Sequence, residues 1–223
     1  MRLLALIAAY QTASTVAAVV EATRRYVPTV IVVDDGSTDG TADAARSAGA
    51  DVVRFETNHG KGVALRAGFA LALERGLAAV VTLDADGQHD PREIPQIVTC
   101  WHKTNAALVI GSREKVVEHM TPTRRFGNRF AQRAISYFAG VRVPDAQSGL
   151  RLYSAELLRA IRLRGVRYEL EAEVIVKTAR AGFKLASTPI RLMQVDGSAT
   201  SHYRPWRDTA RICWSVVRCR IWD

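Results

Sequence analysis

Cysteine is scarce: Cys100, Cys213 and Cys219 are the only three in 223 residues. Their spacing fits neither a metal-ligand pattern nor a paired framework, which argues against a zinc module and a disulfide scaffold. Free thiols in a reducing cytoplasm are the expectation. No stretch supplies the roughly 18 uninterrupted apolar residues that a spanning helix requires, so the chain reads as soluble or peripheral, not integral. The apolar run in Met1–Ala9 is short, and Gln11-Thr12 leads into a helical pattern rather than a processed junction. It reads as a first strand, not a signal peptide. Repeats, low-complexity tracts and linker-like segments are missing too, which points to one domain. Acid is in deficit, with 22 Asp and Glu against 31 Lys and Arg and a formal net charge of +9. Such an excess favours anionic partners, but no helix-turn-helix, zinc-finger or RNA-sheet signature accompanies it, and nucleic acid is not expected.

What is present is an alternation of short apolar runs with helical patterns. Strands are predicted near 2–8, 29–33, 51–55, 78–83 and 107–111, and helices near 13–26, 39–48, 61–75 and 92–103. Alternation with short connections is the mark of βαβ units and a parallel sheet. Ser37 or Thr38 is placed to cap the second helix. The second half is less regular: a helix over 123–139, a strand entered through 145–153, helices near 154–162 and 169–181, and a strand near 183–191. Polar segments at 112–123 and 194–205 read as loops. The last stretch is amphipathic, with Trp206, Ala210, Cys213, Trp214, Val217 and Ile221 on one face and Arg207, Arg211, Ser215 and Arg218 opposite. Trp214 is expected to pack against the domain.

Distinctive polar motifs follow the first four strands, where ligands of an open parallel sheet bind. They are Ala9-Tyr10-Gln11-Thr12, Asp34-Asp35-Gly36-Ser37-Thr38-Asp39-Gly40-Thr41, Asn58-His59-Gly60-Lys61-Gly62 and Asp84-Ala85-Asp86-Gly87-Gln88. The fourth is the most informative. Side chains alternate along an extended backbone, so Asp84 and Asp86 point the same way. Two carboxylates at a strand end make a hard-oxygen site for Mg²⁺ or Mn²⁺, with substrate phosphates filling other positions. The remaining motifs admit two readings each. Asp35 and its neighbours form either a turn with a helix cap or an acceptor for a base edge or ribose. Gly60-Lys61-Gly62 is either a flexible helix start or a phosphate site at a helix N-terminus. Arg113, after Gly111-Ser112, is either solvated or paired with phosphate at the metal site.

Taken in order, the motifs at 34–41, 58–62, 84–91 and 111–113 resemble family 2 glycosyltransferases with the GT-A fold. Asp145-Ala146-Gln147-Ser148-Gly149-Leu150-Arg151 and Ser201-His202-Tyr203-Arg204-Pro205 are similar to the dolichol- and polyprenyl-phosphate sugar synthase branch. The resemblance covers roughly residues 2–215. It implies an α/β fold: one GT-A domain over 1–223, with a mostly parallel central sheet flanked by helices. Residues 1–113 would form the nucleotide-sugar-binding half. Residues 114–223 would form the acceptor side, ending in the amphipathic helix. The implied activity is inverting transfer from a nucleotide sugar, GDP-mannose or a UDP-hexose, to polyprenyl phosphate at the cytoplasmic membrane face. On matching positions, Ala9, Tyr10, Asp34 and Asp35 would line the nucleotide pocket, with Lys61 and Ala85 also on the donor. Asp84, Asp86 and Gln88 would hold the metal, and Arg113 would contact the phosphates. The Gly197–Arg204 loop would close over the site and bring His202 and Arg204 to the diphosphate. Two segments depart from the family pattern. Ala8-Ala9-Tyr10-Gln11-Thr12 stands where Pro-Ala-Tyr-Asn-Glu is usual. Gln194–Thr200 stands where lipid-phosphate mannose synthases carry Arg-x-x-Gly-x-Ser-Lys.

The acceptor side adds Arg125, Arg129 and Arg133, which recur every four residues on a predicted helix. They form either a solvated basic face or the approach for an acceptor phosphate. An acceptor that is already a phosphate anion needs no strong general base. A hydroxyl acceptor would need one, with Asp145 or Glu171 as candidates. A catalytically silent nucleotide-binding module is the reading of another class. Glu169 and Glu173 share a face of a predicted helix, where one of them could also act as a base for a hydroxyl acceptor. Glu169, Glu171 and Glu173 are nevertheless expected in internal salt bridges to surrounding arginines. The arginines of the terminal helix add to a basic surface suited to peripheral membrane contact.

Overall fold

β1 (Leu3–Ala9) is apolar on both faces: Leu4 and Leu6 enter one core, Ala5 and Ile7 the other. A strand sandwiched between two helix layers requires this, since neither face meets water. The computed structural model describes residues 2–113, 122–193 and 205–221, with side chains described within 2–113, 131–193 and 211–219. β2 (Val30–Asp34), β4 (Ala79–Asp84) and β5 (Leu108–Ser112) are buried in the same way. With β3 (Asp51–Arg54), β6 (Arg151–Ser154) and β7 (Leu185–Pro189) they form a seven-stranded sheet in the order β3-β2-β1-β4-β6-β5-β7. β1 pairs in parallel with both β2 and β4. The chain therefore reverses its direction of travel across the sheet between β1 and β4, and such a switch point opens a crevice at the strand ends.

α1 (Val16–Arg24), α2 (Thr41–Ser47) and α4 (Ile94–Thr104) supply the core on one face. α3 (Lys61–Glu74), α5 (Pro122–Ala139), α6 (Ala155–Ala160), α7 (Glu169–Arg180) and α8 (Pro205–Ile221) cover the other. The expected α/β architecture and mostly parallel sheet are present, with one exception: β6 runs antiparallel to both β4 and β5. Two helix starts differ from expectation. α1 begins at Val16 because Thr12–Thr15 close a turn on the Thr12 carbonyl. α2 is preceded by Gly40 at φ 86° rather than capped by Ser37 or Thr38, whose side chains are used elsewhere. α8 also turns a different face inward. Ile212, Val216 and Cys219 are buried, whereas Trp214 is 68% exposed. The expectation that Trp214 packs against the domain is corrected accordingly.

The antiparallel insertion carries a fully buried arginine. Arg151 donates from Nε to the Ser148 carbonyl at 2.7 Å, from Nη2 to Ala146 at 2.7 Å and from Nη1 to Glu171 at 2.8 Å. A buried guanidinium is tolerated only when its donors are satisfied, and here three backbone oxygens do so. The arginine thereby ties the 145–150 loop to α7. Arg151→Met should cost at least about 2 kcal/mol in urea unfolding, because each orphaned buried carbonyl costs about 1–3 kcal/mol. An unchanged midpoint would show that the brace contributes nothing to stability.

Candidate active site

The first two motifs are stitched together. In the β1–α1 loop, Gln11 N–H donates to Ser37 Oγ at 2.9 Å, Thr12 N–H to Thr41 Oγ1 at 2.9 Å and Ala13 N–H to Asp39 at 3.0 Å. The hydroxyls and Asp39 of the second motif thus hold the first motif in place. Ala9 ends β1 level with Asp34 of β2, and Tyr10 follows at the same edge. Asp34 is buried and accepts from Ser37 N–H at 3.0 Å, closing a turn. Asp35 is also buried and accepts from His59 and Gly60 N–H, each at 2.8 Å. Both aspartates brace the loops here. Asp35 joins the second motif to the third, and Asp34 Oδ2 is buried without a hydrogen bond among the described residues.

The third and fourth motifs meet through charge. Lys61, the first residue of α3, places Nζ 2.6 Å from Asp84 Oδ1 and 2.7 Å from Glu171 Oε1. Burial disfavours the ammonium, but the two carboxylates outweigh it and hold Lys61 well above the usual lysine range. Burial likewise opposes ionisation of Asp84. Lys61, then His89 and Arg113, outweigh it and keep that carboxyl well below its ordinary value. Asp86 goes the other way, raised by burial and by the charge of Asp84 beside it. Its Oδ1 accepts from the Gln88 backbone N–H at 3.0 Å, which turns the chain after the strand. Ala85 is buried, and its carbonyl accepts from Thr15 Oγ1 at 2.7 Å.

The second half of the chain closes the crevice. Arg113 grips Asp145 with both ends of its guanidinium, Nε to Oδ2 at 2.7 Å and Nη2 to Oδ1 at 3.1 Å. Burial opposes the charge of Asp145, and Arg113 more than compensates, so this carboxyl sits below its ordinary value. Gly149 backs onto Asp84, where a Cβ would overlap the carboxylate. The chain beyond β7 returns to the same place: Leu192 bridges His89, and Met193 N–H donates to the Gln88 carbonyl at 3.0 Å. Arg133 lies exposed on α5, while the side chains of Arg125 and Arg129, and all of His202 and Arg204, lie outside the described residues.

Residues 5–162 match the family model for Glycosyl transferase family 2. The chain belongs to that family. The undecaprenyl-phosphate mannosyltransferase of Micrococcus luteus is 31% identical, with 99% of each chain aligned. The polyprenol monophosphomannose synthase of Mycolicibacterium smegmatis is 34% identical over 72% of this chain and 65% of that protein. In fold, the glucosyl-3-phosphoglycerate synthase of Mycobacterium tuberculosis, crystallised with Mn²⁺, UDP and phosphoglyceric acid, superposes with a TM-score of 0.73. The match is 22% identical and covers 99% of this chain and 79% of that one.

In this family 2 glycosyltransferase, no three His, Cys, Asp or Glu side chains form a ready metal cage among the described residues. The donor set nevertheless suits a hard divalent ion, since one or two carboxylates suffice when phosphate oxygens complete the shell. Four carboxyl groups, Asp84, Asp86, Asp145 and Glu171, stand against the two cationic side chains of Lys61 and Arg113. Three residues take roles in this site that the sequence does not indicate. Glu171 and its helix neighbours were expected to bridge arginines. Instead Glu171 holds Lys61, Glu173 holds Lys177 and two loop amides, and Glu169 accepts two more amides. Gly149 and His89 lay inside quoted motifs, but only the three-dimensional neighbours reveal their roles.

His89 is 3% exposed, its ring stands 3.4 Å from Asp84, and neither ring nitrogen makes a hydrogen bond among the described residues. Burial, seconded by Arg113 and Lys61, lowers it from 6.5 to about 4 despite the attraction of Asp84. Between those values the unfolded chain binds the additional proton, so stability should fall as pH drops from 6.5 towards about 4. Urea unfolding across that range should show the slope, and His89→Gln should flatten it. An identical slope in the variant would assign the pH dependence to other groups.

Proposed function

We propose that this family 2 glycosyltransferase moves a hexose from a nucleoside-diphosphate sugar to a polyprenyl phosphate, with inversion at the anomeric carbon. One observation carries the acceptor assignment. Beyond the Asp84–Asp86 pair, every described carboxylate bordering the crevice is engaged: Asp145 by Arg113, Glu171 by Lys61, and Glu173 by Lys177 and backbone amides. Among the described residues none of these carboxylates is left free to serve as a base for a hydroxyl, and the unpaired imidazole of His89 is 3% exposed. A phosphate acceptor needs no base because it is already a nucleophilic anion. The names of the Micrococcus and Mycolicibacterium relatives support the same acceptor class.

Asp84 and Asp86, with Gln88 beside them, would hold Mg²⁺ or Mn²⁺. When bound, that ion would neutralise the diphosphate and stabilise charge developing on the leaving group. Lys61 and Arg113 share this task, Lys61 aimed by buried Glu171 and Arg113 by half-buried Asp145, so that little reorganisation is needed during transfer. The β1–α1 and β2–α2 loops, with Ala9, Tyr10, Asp34, Asp35 and Ala85, frame the nucleotide. His202 and Arg204 belong to the segment that would cover the diphosphate. Arg125, Arg129 and Arg133 on α5 would meet the acceptor phosphate. Catalysis would then take place where a lipid acceptor is accessible, at the membrane surface, and no helix among the described residues is long and apolar enough to cross it.

Transfer from GDP-mannose, UDP-glucose and UDP-N-acetylglucosamine to a short-chain polyprenyl phosphate, followed by mass spectrometry with Mn²⁺, tests this reading. The expected product is a polyprenyl-phosphate hexose from one of these donors. Asp84→Asn should remain folded yet lose at least about a hundredfold in rate, given about 2.7–4 kcal/mol for one preorganised electrostatic group. Full activity of that variant in chelator would overturn the metal assignment. Glutamine at 125, 129 or 133 should reduce acceptor use by about ten- to a hundredfold, the 1.5–3 kcal/mol of a charged hydrogen bond, with donor affinity unchanged. Equal transfer by all three variants would remove the phosphate role from this helix.

A further inference from the structure

The loop between α6 and α7, residues 161–168, reads Ile-Arg-Leu-Arg-Gly-Val-Arg-Tyr, and its three arginines are exposed. It faces α8 across a cleft of about 200 Å³, whose lining includes Arg164, Val166, Trp214, Arg218 and Cys219. The two acids of this cleft are engaged by backbone amides. Glu169 accepts from the Val166 and Arg167 amides at 3.0 and 3.1 Å, and Glu173 from those of Arg164 and Gly165 at 2.9 and 2.6 Å. The outer rim is therefore cationic, with exposed Arg162, Arg164, Arg167, Arg211 and Arg218 around two exposed apolar side chains. Those are Val166 at 44% and Trp214 at 68% exposure.

The same loop is fastened to the crevice. Val63 N–H donates to the Val166 carbonyl at 3.2 Å, and Gly60, at φ 103°, passes so close that a Cβ would overlap that oxygen. Lys61 Nζ lies 5.8 Å from the centre of the Tyr168 ring. Whatever rests against the loop and α8 is held at the border of the Lys61–Asp84 site. Arginine beside tryptophan suits one environment in particular, the headgroup zone of an anionic bilayer. There guanidinium meets lipid phosphate and the indole sits at the boundary of the hydrocarbon.

We propose that the 161–168 loop and the outer face of α8 form the surface that docks on an anionic phospholipid leaflet. Val166 and Trp214 enter the interface, and the arginines contact lipid phosphates. This deepens the polyprenyl-phosphate reading and takes its purpose from it, while the docking itself is measurable without transfer.

The test uses the full chain, sedimented with vesicles of equimolar phosphatidylcholine and phosphatidylglycerol or of phosphatidylcholine alone. Wild type should bind the acidic vesicles and leave the neutral ones. R164Q/R211Q/R218Q should bind about a hundredfold more weakly, since each arginine near an anionic surface contributes about fivefold. Trp214→Ala should also weaken binding. A matched variant, R25Q/R46Q/K103Q, removes the same charge from the opposite helix layer and should bind as wild type does. Equal weakening by both triple variants would reduce the effect to net charge and overturn the proposal. So would a dimer that only the first triple variant dissolves, with no vesicle binding by wild type. In detergent with a short-chain polyprenyl phosphate, the first triple variant should transfer as wild type does, but lose activity on acceptor embedded in vesicles. If wild type transfers nothing while that variant still loses vesicle binding, the docking surface stands and the acceptor assignment fails. If wild type transfers normally while that variant binds vesicles undiminished, the acceptor assignment stands and the docking surface fails.

Discussion

Lys61 joins three parts of the molecule with one ammonium group. It begins α3, its charge lies against Asp84 at the end of β4, and Glu171 of α7 holds it from the other side. The pairs are substantially shielded from water, with side-chain exposures of 20%, 26% and 7% for Lys61, Asp84 and Glu171. Removing any one member would leave a partly buried charge uncompensated, which is far costlier than losing an exposed pair. Asp84 is thus held ionised and oriented, and the first half of the chain is tied to the second at the crevice itself. Placement and electrostatics have the same cause.

The remaining contacts support that junction. Gly149 leaves room for the Asp84 carboxylate, and its own loop is held by Arg151 through two backbone carbonyls and by Thr82 Oγ1, which donates to the Gly149 carbonyl at 2.7 Å. Asp145 begins this loop and fixes Arg113, so one short segment positions both a site cation and the space behind a site anion. On the other side, Asp35 holds the amides that lead into Lys61. Buried charged groups aimed by neighbours are the ordinary means of preorganising a site for an anionic ligand. The surplus of carboxylates over cations is what distinguishes this crevice from a simple phosphate cradle.

Several polar residues that read as ligand groups turn out to have structural partners. Ser37, Asp39 and Thr41 satisfy the backbone of the β1–α1 loop, and Asp34 and Asp35 satisfy that of their own and the next loop. Hydroxyls and carboxylates at strand ends serve either purpose, and the choice depends on which amides the tertiary fold brings within reach. A carboxylate that accepts two amide hydrogens retains further lone pairs. The bracing of Asp35 is therefore compatible with its proposed role at the nucleotide edge.

The sequence by itself determined the alternation of strands and helices, the parallel character of the sheet and the position of Asp84 and Asp86 at a strand end. Those features follow from local rules, the period of apolar residues and the alternation of side chains. The motif order was also enough to name the family, because spacing along the chain is preserved whatever the fold does with it. Only the tertiary structure decided the antiparallel course of β6, the partner of Glu171, the burial of His89 and the exposure of Trp214. Each depends on contacts between residues far apart in sequence, and Lys61 and Glu171 stand 110 positions apart. On α8, apolar residues occupy more than one arc, so periodicity allowed more than one inward face, and packing against α5 and α7 selected Ile212, Val216 and Cys219.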